Sequence, residues 1–265
     1  MDENIVVVKI GGATLGSHDT TIEDVVTLQR QGRLLIIVHG GGKIITEWLD
    51  KQDIPSRFVR GERVTNRSTL QVVVAVLAGL VNKQIVAAIN DQGGQAIGIS
   101  GVDGGLVQAE VKDEKLGYVG SVVAVNTAPL RIMLDAGYIP VVAPISLNTT
   151  GKLGQGPPVV NINADDVAGE IAAAIVAGQL IFLTDVVGVS DRSGQLLSHL
   201  RPDEAAALVA SGTASGGMIP KIRACLRALT VAKTARIIDG RQPHALFQEL
   251  EGKGSGTIIG IGEGK

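Results

Sequence analysis

Two apolar segments that end in glycines constrain the fold of this chain more than any other feature of its sequence. Residues 5–10 carry one charge, Lys9, and lead directly into Gly11 and Gly12. Residues 34–38 are all apolar and lead through a histidine into three consecutive glycines. Unbroken apolar runs of this length are typical of parallel strands that are covered on both faces. A helical pattern separates the two runs, so the order predicts a βαβ unit with two glycine loops at one edge of the sheet.

The glycines at positions 40–42 predict a loop that binds an anion. Glycine lets the backbone approach a ligand closely, and the first N–H groups of the helix that follows have no partner within that helix. Lys43 invites comparison with the phosphate loop of nucleotide-binding proteins, but the spacing of the glycines and the absence of Ser or Thr after the lysine exclude that motif. The dinucleotide-binding motif fails as well, because Ile45 occupies its last glycine position.

Composition excludes several kinds of partner and site. The chain has 24 basic and 26 acidic residues and only three Phe, two Tyr and one Trp, so we do not expect it to bind nucleic acid. Cys225 is the only cysteine, which excludes an intramolecular disulfide and a thiolate metal site. The acidic start does not resemble a signal peptide, and the uncharged run from Ser68 to Asn82 is shorter than the roughly 20 residues that span a bilayer. We therefore expect a cytoplasmic protein that makes no contact with a membrane.

Strand and helix patterns along the rest of the chain predict an α/β fold with a large, mixed sheet. Further strands are predicted at residues 95–99, 106–111, 119–125, 139–143, 180–184, 236–238 and 257–261. Residues 68–91 predict a long helix that is too apolar to lie on an ordinary surface, so we expect it in a subunit interface. A second α/β unit begins near Gly178.

Several polar residues at predicted strand ends and helix starts have both an ordinary and a functional explanation. Lys9 either reaches solvent from the end of its strand or acts as a cation at the carboxyl edge of the sheet, and the adjacent glycines favour the second. An alanine-rich helix is predicted at residues 167–176, and Asp165 or Asp166 either caps it or has a functional role. Asn161 and Asn163, two positions apart, would face the same side of an extended segment.

An arginine-rich segment and a third glycine loop complete the set of candidate sites. The segment contains Arg57, Arg60, Arg63 and Arg67. These arginines either bind a carboxylate or are solvated. Their spacing does not show which of the four would bind it. The third loop, at residues 215–217, precedes a predicted helix that carries Lys221. The four histidines lack a paired metal-binding spacing, and glycine loops with two lysines and an aspartate suit phosphoryl transfer, in which the protein supplies position and positive charge.

Eight short motifs, in this order, resemble those of the N-acetylglutamate kinases of the amino acid kinase family. They are Val8-Lys9-Ile10-Gly11-Gly12, His39-Gly40-Gly41-Gly42, Arg63-Val64-Thr65, Asn82-Lys83, Asn161-Ile162-Asn163-Ala164-Asp165, Thr184-Asp185-Val186, Gly216-Gly217-Met218-Ile219-Pro220-Lys221 and Asp239-Gly240-Arg241. The resemblance extends over nearly the whole chain. It implies an open αβα sandwich with a large, mainly parallel central sheet. It also implies an N-terminal lobe, residues 1–177, for substrate binding and dimerisation, and a C-terminal lobe, residues 178–265, for ATP binding.

The resemblance further implies a reaction and a role for each candidate residue. The γ-phosphoryl group of ATP would pass to the side-chain carboxylate of N-acetyl-L-glutamate, the second step of arginine biosynthesis. Lys9 and Lys221 would be catalytic and stabilise the transferred phosphoryl group, and Asp165 would hold both lysines. The implied substrate-binding residues are Gly41, Gly42, Arg63, Asn161 and Asn163. The implied nucleotide-binding residues are Gly11, Gly12, Thr184, Asp185, Gly188 and Gly217. Mg²⁺ would be held chiefly through the phosphates of ATP, without a metal ligand from the protein.

Two other functions and the assembly state follow from the same comparison. A related kinase that acts on glutamate or aminoadipate attached to an acidic carrier protein would use the same catalytic residues. Such a kinase would present a basic surface to its carrier, and the arginine-rich segment is compatible with that. A nucleotide-binding regulator without activity would share the fold, although Lys9, Asp165 and Lys221 together argue against it. Arginine-inhibited members of the family resemble one another in an extra N-terminal helix that links dimers into hexamers. Only four residues precede the first predicted strand of this sequence, so we expect an arginine-insensitive homodimer built on the 68–91 helix. A nitrogen-signalling protein is left open as a further partner.

Overall fold

The computed structural model describes residues 4–11, 20–59, 61–149 and 158–260. The predictions for Gly12 and Arg60 therefore lie outside the described residues. The strands are β1 (Ile5–Ile10), β2 (Leu34–His39), β3 (Phe58–Val59), β4 (Glu62–Arg63), β5 (Ala96–Gly101), β6 (Val107–Val111), β7 (Gly120–Val125), β8 (Ile139–Asn148), β9 (Val159–Asn161), β10 (Gln179–Thr184), β11 (His199–Leu200), β12 (Thr234–Asp239) and β13 (Thr257–Gly260). The helices are α1 (Thr21–Arg30), α2 (Gly42–Asp50), α3 (Arg67–Asp91), α4 (Ala128–Asp135), α5 (Ala164–Ile175), α6 (Pro202–Ala210), α7 (Met218–Ala228) and α8 (Ala245–Leu250), with short 3₁₀ turns at Asp103–Gly105 and Glu114–Leu116.

One mixed sheet contains all of these strands except the β3–β4 hairpin. Its order is β11-β13-β12-β10-β1-β2-β8-β6-β7, and β5 and β9 also pair with β8. The central pairs are parallel, while β13, β7 and β9 run antiparallel to their neighbours β12, β6 and β8. The predicted large and mainly parallel sheet is confirmed. Because β10 pairs with β1, the sheet continues across residues 177 and 178, and the division into two lobes stays a prediction.

Successive residues of β1 alternate between two apolar clusters, one on each face of the sheet. Ile5 and Val7 belong to the cluster under α5 and α7, and Val6 and Val8 belong to the cluster under α1, α2 and α3. Helices on both faces confirm the predicted αβα sandwich. Burial of each Val or Ile side chain contributes roughly 1.5–3 kcal/mol, so this alternation fixes the orientation of the strand. Since side chains alternate along a strand, Lys9 shares the face of Ile5 and Val7 and points towards α5 and α7.

Helix α3 is the long apolar helix that the sequence predicts. It has 25 residues and a mean hydropathy of 2.1 over its most apolar window, and among the described helices it alone is long and apolar enough to cross a membrane. Val73, Leu77 and Ile85 pack on the second face of the sheet, and 44% of the window is buried within the chain. Its middle, Ala75–Val81, is a π-helix. Segments of this kind are frequent near functional sites.

Two predictions are wrong, each for a local reason: the loop expected at residues 57–67 and the first residue of helix α5. The arginine-rich segment is not an open loop, because β3 and β4 form an antiparallel hairpin whose turn includes Gly61 at a positive φ of 82°. Helix α5 begins at Ala164 and not at Val167, because the Asn163 side chain accepts a hydrogen bond from the Asp165 N–H at 2.9 Å and caps the helix. Neither aspartate is the cap, so the Asp165 side chain is available for other contacts.

Strand β8 is also longer than predicted. It continues to Asn148, well past the predicted end at residue 143. Its first half pairs with β5, and its last residues pair with β6 and β9. Strand β9, Val159–Asn161, is thereby held against the body of the sheet just before helix α5 begins.

Candidate active site

Three charged residues from distant parts of the chain meet near the carboxyl end of β1. Lys9 lies one residue before the end of the strand, Asp165 lies in the first turn of α5, and Lys221 lies in the first turn of α7. Lys9 Nζ is 2.7 Å from Asp165 Oδ1, and Lys221 Nζ is 2.9 Å from Asp165 Oδ2. The structure therefore brings together the three residues that the sequence analysis names as catalytic candidates.

Burial and charge act against each other in this cluster. Burial alone would raise the pKa of Asp165, but the two lysine cations outweigh it and hold that pKa below its usual range. Burial lowers the pKa of Lys9, and the Asp165 carboxylate opposes this effect. Only 7% of Lys9 is exposed. With the carboxylate ionised, two cations share one anion, and the site carries an excess positive charge that favours an anionic ligand.

Two helices begin at glycines beside this cluster. Gly41 is the N-cap of α2 and Gly217 is the N-cap of α7, and neither cap is closed by a side chain. The first N–H groups of a helix have no acceptor within the helix and carry partial positive charge, so they suit phosphate or carboxylate oxygens. A Cβ atom at Gly41 would lie 2.6 Å from Leu77 Cδ2, whereas at Gly42 or Gly217 it would meet nothing within 4 Å. Close packing thus requires glycine at position 41, and the other two positions face open space.

A cavity of about 240 Å³ opens next to Lys9. Its lining includes every predicted substrate-binding residue: Gly41, Gly42, Arg63, Asn161 and Asn163. It also includes Phe58, Glu62, Leu77, Val119 and Pro144, which none of the sequence motifs contains. The cavity is smaller than the roughly 300–1,000 Å³ that drug-sized ligands occupy, a size that suits a small metabolite.

Arg63 is held in the cavity wall by a defined set of contacts. It is 8% exposed, and its Nη2 donates to the Gly42 carbonyl at 3.0 Å and to Thr46 Oγ1 at 2.8 Å. Nη1 donates to Ser56 Oγ at 2.8 Å, and the guanidinium lies 4.6 Å from the centre of the Phe58 ring. These bonds use three of the five guanidinium N–H groups. Burial lowers the pKa of Arg63, yet arginine stays charged at neutral pH.

The hairpin that carries Arg63 explains which arginine faces the cavity. Strand β4 places Arg63 in the cavity wall, while Arg57 and Arg67 lie exposed outside it. An aromatic and a β-branched residue, Phe58 and Val59, precede a glycine turn in the sequence, which is a pattern typical of a hairpin. This pattern is the signal in the sequence that indicates the hairpin, and with it the presence of Phe58 in the cavity wall.

The two asparagines have different local roles. Asn161 Nδ2 donates to Thr65 Oγ1 at 3.3 Å, and Thr65 Oγ1 donates to the Arg63 carbonyl at 2.9 Å, so β9 and the hairpin region are connected beside the cavity. Asn163 caps α5 through its side chain and thereby aligns the turn that carries Asp165.

Three of the residues predicted to bind nucleotide, Gly11, Thr184 and Asp185, lie at or just after the ends of β1 and β10, outside the 240 Å³ cavity. Gly11 donates its N–H to the Leu183 carbonyl at 3.1 Å, and Thr184 Oγ1 accepts from the Val186 N–H at 3.1 Å. Asp185 is exposed next to Thr184. Gly188 has a φ of 150°, and a Cβ atom there would lie 2.6 Å from Thr257 Oγ1. Close packing on β13 is therefore sufficient to explain glycine at position 188.

No group of three His, Cys, Asp or Glu side chains suited to a metal ion occurs in the part of the chain that the structure describes. Cys225 is buried, and burial raises the pKa of its thiol above the ordinary value. Lys43, at the start of α2, is exposed and lies outside the cavity, as a surface lysine would.

Fold and site together define an α/β protein in which two cations, two open helix N-termini and a small cavity lie at the carboxyl edge of the parallel strands. The model of the amino acid kinase family matches residues 4–239. An acetylglutamate kinase from Dehalococcoides mccartyi is 47% identical over 256 residues, which cover 97% of this chain and 94% of the relative. One from Cereibacter sphaeroides is 48% identical over 260 residues, covering 96% and 87%. A Streptococcus mutans protein of known structure superposes with a TM-score of 0.82 at 26% identity, covering 98% and 100%. The chain belongs to the amino acid kinase family.

Proposed function

We propose that this chain transfers the γ-phosphoryl group of ATP to the side-chain carboxylate of N-acetyl-L-glutamate, which forms N-acetyl-L-glutamyl 5-phosphate in the second step of arginine biosynthesis. The observation that carries the proposal is the pairing of Lys9 and Lys221 with one buried carboxylate, Asp165, beside a small cavity that Arg63, Asn161 and Asn163 help to line. The acetylglutamate kinases that match nearly the full length of the chain support the choice of acceptor.

The two lysines supply what phosphoryl transfer needs most. The transferred group spreads negative charge over its oxygens, and catalysis consists mainly of positioning and electrostatic stabilisation. Asp165 holds both ammonium groups in place while leaving an excess of positive charge. The carboxylate acceptor is already ionised at neutral pH, so the reaction requires no general base.

The cavity holds the acceptor in this proposal. Arg63 pairs with a substrate carboxylate, Asn161 and Asn163 contact its polar groups, and the amides of Gly41 and Gly42 receive substrate or phosphate oxygens. The excess positive charge beside Lys9 favours an acceptor that carries carboxylates.

ATP lies across the adjacent strand ends in the same proposal. Gly11, Gly12, Thr184, Asp185, Gly188 and Gly217 line its site. The open N-terminus of α7, with Lys221 in its first turn, fits a phosphate group. Mg²⁺ would be held through the phosphates of ATP and would neutralise part of their charge.

We further propose a cytoplasmic homodimer that forms through helix α3. Helix α3 leaves Gln71, Ala75, Gly79 and Lys83 exposed along one stripe, while its opposite side packs on the sheet. An exposed stripe with small, uncharged residues at its centre allows two copies of the helix to approach closely.

Product analysis tests the reaction itself. The purified chain, incubated with ATP, Mg²⁺ and acetylglutamate, should release ADP and form an acyl phosphate that hydroxylamine converts to a hydroxamate. The Lys221→Ala variant should form neither product above background. ADP release without hydroxamate would show that water, and not the carboxylate, accepts the phosphoryl group, and the proposal would then fail.

A further inference from the structure

A buried polar network lies directly beneath the glycine loop at the end of β2. His39, the last residue of the strand, and Asn82, the first residue of α3 after its π-helical segment, are both fully buried. His39 Nε2 is 3.2 Å from Asn82 Nδ2, and His39 Nδ1 is 2.9 Å from the Gly40 carbonyl oxygen. Lys83 Nζ is 3.0 Å from Asn82 Oδ1. The network therefore connects the middle of α3 to the loop that lines the cavity.

The partners of Asn82 determine which way its amide faces. Its Oδ1 accepts from Lys83, which can only donate. One N–H of its Nδ2 donates to the Val141 carbonyl at 2.9 Å, and the other is shared between the Ile99 carbonyl at 3.3 Å and His39 Nε2 at 3.2 Å. Reversing the amide would place oxygen against two carbonyls and nitrogen against an ammonium group. The Nδ2 group therefore faces His39.

The orientation of Asn82 in turn determines the tautomer of His39. Nε2 faces an amide that donates, so Nε2 acts as the acceptor and the ring proton lies on Nδ1. Nδ1–H then donates to the Gly40 carbonyl. Burial lowers the pKa of His39 to about 4, the Gly40 hydrogen bond opposes this shift, and the cations Lys9 and Lys83 add to it. The ring is neutral at neutral pH, as this pair of hydrogen bonds requires.

The His39 hydrogen bond sets the direction of the next peptide group. In a trans peptide the C=O and N–H groups point in opposite directions, so a Gly40 carbonyl held towards the buried ring turns the Gly41 N–H away from it. The Gly40 N–H is fixed independently by the Ile10 carbonyl at 3.0 Å. Gly41 packs against Leu77 of the π-helical segment, which limits movement of the loop on its other side.

We propose that His39 and Asn82 are positioning residues that aim the Gly41 N–H into the cavity, where it stabilises the oxygen on which negative charge develops. This inference rests on the proposed function, since it assigns the amide a role in phosphoryl transfer. His39 exchanges no proton with the substrate and acts only through the loop. The pairing also gives the Asn82-Lys83 motif a role in the site.

Two substitutions at one position separate the two hydrogen bonds of His39. In His39→Asn, the amide nitrogen takes the place of Nδ1 and can still donate to Gly40. In His39→Gln, the amide takes the place of Nε2 and can contact Asn82 but not Gly40. We expect His39→Gln to lower kcat at least about tenfold, with KM for acetylglutamate changed less than threefold, and His39→Asn to restore kcat to within about threefold of the wild type. Ile89→Val, a buried change in the helix that carries Asn82, is the control for lost packing and should leave kcat unchanged.

Nitrogen-15 NMR of histidine-labelled protein provides a test that does not depend on turnover. The His39 resonance, identified by its loss in His39→Gln, should show a protonated Nδ1 and an unprotonated Nε2 at neutral pH. A proton on Nε2 would overturn the inference, as would wild-type kcat in His39→Gln or equal impairment of His39→Asn and His39→Gln. If the wild type phosphorylates another acceptor and not acetylglutamate, the proposed function fails, and the same variants are compared with that acceptor. If the wild type has no turnover, the NMR result decides.

Discussion

Lys9 and Lys221, from the first strand and one of the last helices of the chain, bind opposite oxygens of the same carboxylate, at 2.7 and 2.9 Å. Two ammonium groups this close would repel each other without the Asp165 anion between them. The carboxylate therefore sets the separation of the two cations before any ligand arrives. In our account this preorganisation is the main source of catalysis, because the charges do not need to be assembled during the reaction.

Removal of Lys221 should abolish most of the activity while leaving the fold intact. Lys221→Ala should lower kcat by at least ~10²-fold, the range for loss of one electrostatic stabiliser. Lys9→Ala should have a similar effect. Lys43→Ala, which removes an exposed lysine next to the glycine loop, is the matched control and should retain wild-type kcat. Steady-state kinetics and thermal melts check this prediction, and near-normal turnover by folded Lys221→Ala would contradict it.

Arg63 should act on substrate binding more than on the chemical step. Arg63→Ala should raise KM for acetylglutamate at least about tenfold with a smaller change in kcat, since its contacts hold the ground state and the transition state alike. Arg57→Ala, an exposed change in the same segment, should leave both constants unchanged. If KM is unaffected in Arg63→Ala and raised in Arg57→Ala, the carboxylate contact belongs to Arg57.

The sequence predicts the framework of this fold because the framework depends on local patterns. The apolar strand runs, their glycine ends and the long apolar helix are each visible within a short window of the sequence. Predicted boundaries were wrong where a single side chain determines where an element begins. The Asn163 side chain caps α5, so this helix begins earlier than predicted.

The site itself depends on contacts between distant segments, which local patterns do not contain. The meeting of Lys9, Asp165 and Lys221 follows from the packing of two helices on one strand, and it was implied only by the resemblance to a family. Spacing in the sequence does not show which arginine lines the cavity, because that depends on the hairpin turn at Gly61. The contact of His39 with Asn82 depends on where α3 crosses β2 and β8, so no short motif predicts it.

A partly buried carboxyl group near the site, that of Asp166, should make stability depend on pH. Burial raises the pKa of Asp166 to about 6, with Asp165 and Glu62 adding to the shift and Lys112 and Arg223 opposing it. Because the folded-state pKa is the higher one, the protonated group stabilises the fold below about pH 4, and this contribution is lost as pH rises through about 6. Asp166→Asn, which cannot ionise, should therefore be more stable than the wild type at pH 7.5, by up to about 3 kcal/mol.

Urea unfolding at a series of pH values measures this difference directly. The gain in Asp166→Asn should grow between about pH 4 and pH 6 and then level off. Asp135→Asn, an exposed change, should show no such trend. A difference between Asp166→Asn and the wild type that does not vary with pH would contradict the prediction.

The exposed stripe of α3 should be the dimer contact. A Cβ atom at Gly79 meets nothing within 4 Å in the single chain, so Gly79→Arg should fold normally but separate the two copies. Ile132→Arg, at a residue of α4 that is 68% exposed, is the matched control and should leave the dimer intact. Light scattering of the wild type and both variants checks this. A wild-type protein that is a monomer or a hexamer, or a Gly79→Arg variant that remains a dimer, would contradict this prediction.

The most direct test of the central claim is the choice of phosphoryl acceptor. ADP release should be measured with N-acetyl-L-glutamate, glutamate, aspartate, carbamate and UMP under the same conditions, with kcat/KM determined for each. Our account predicts that kcat/KM for acetylglutamate exceeds that for every other acceptor by at least about 10²-fold, because the site holds its two carboxylates and its acetylated nitrogen together. An equal or higher kcat/KM for any of the other four acceptors would contradict it.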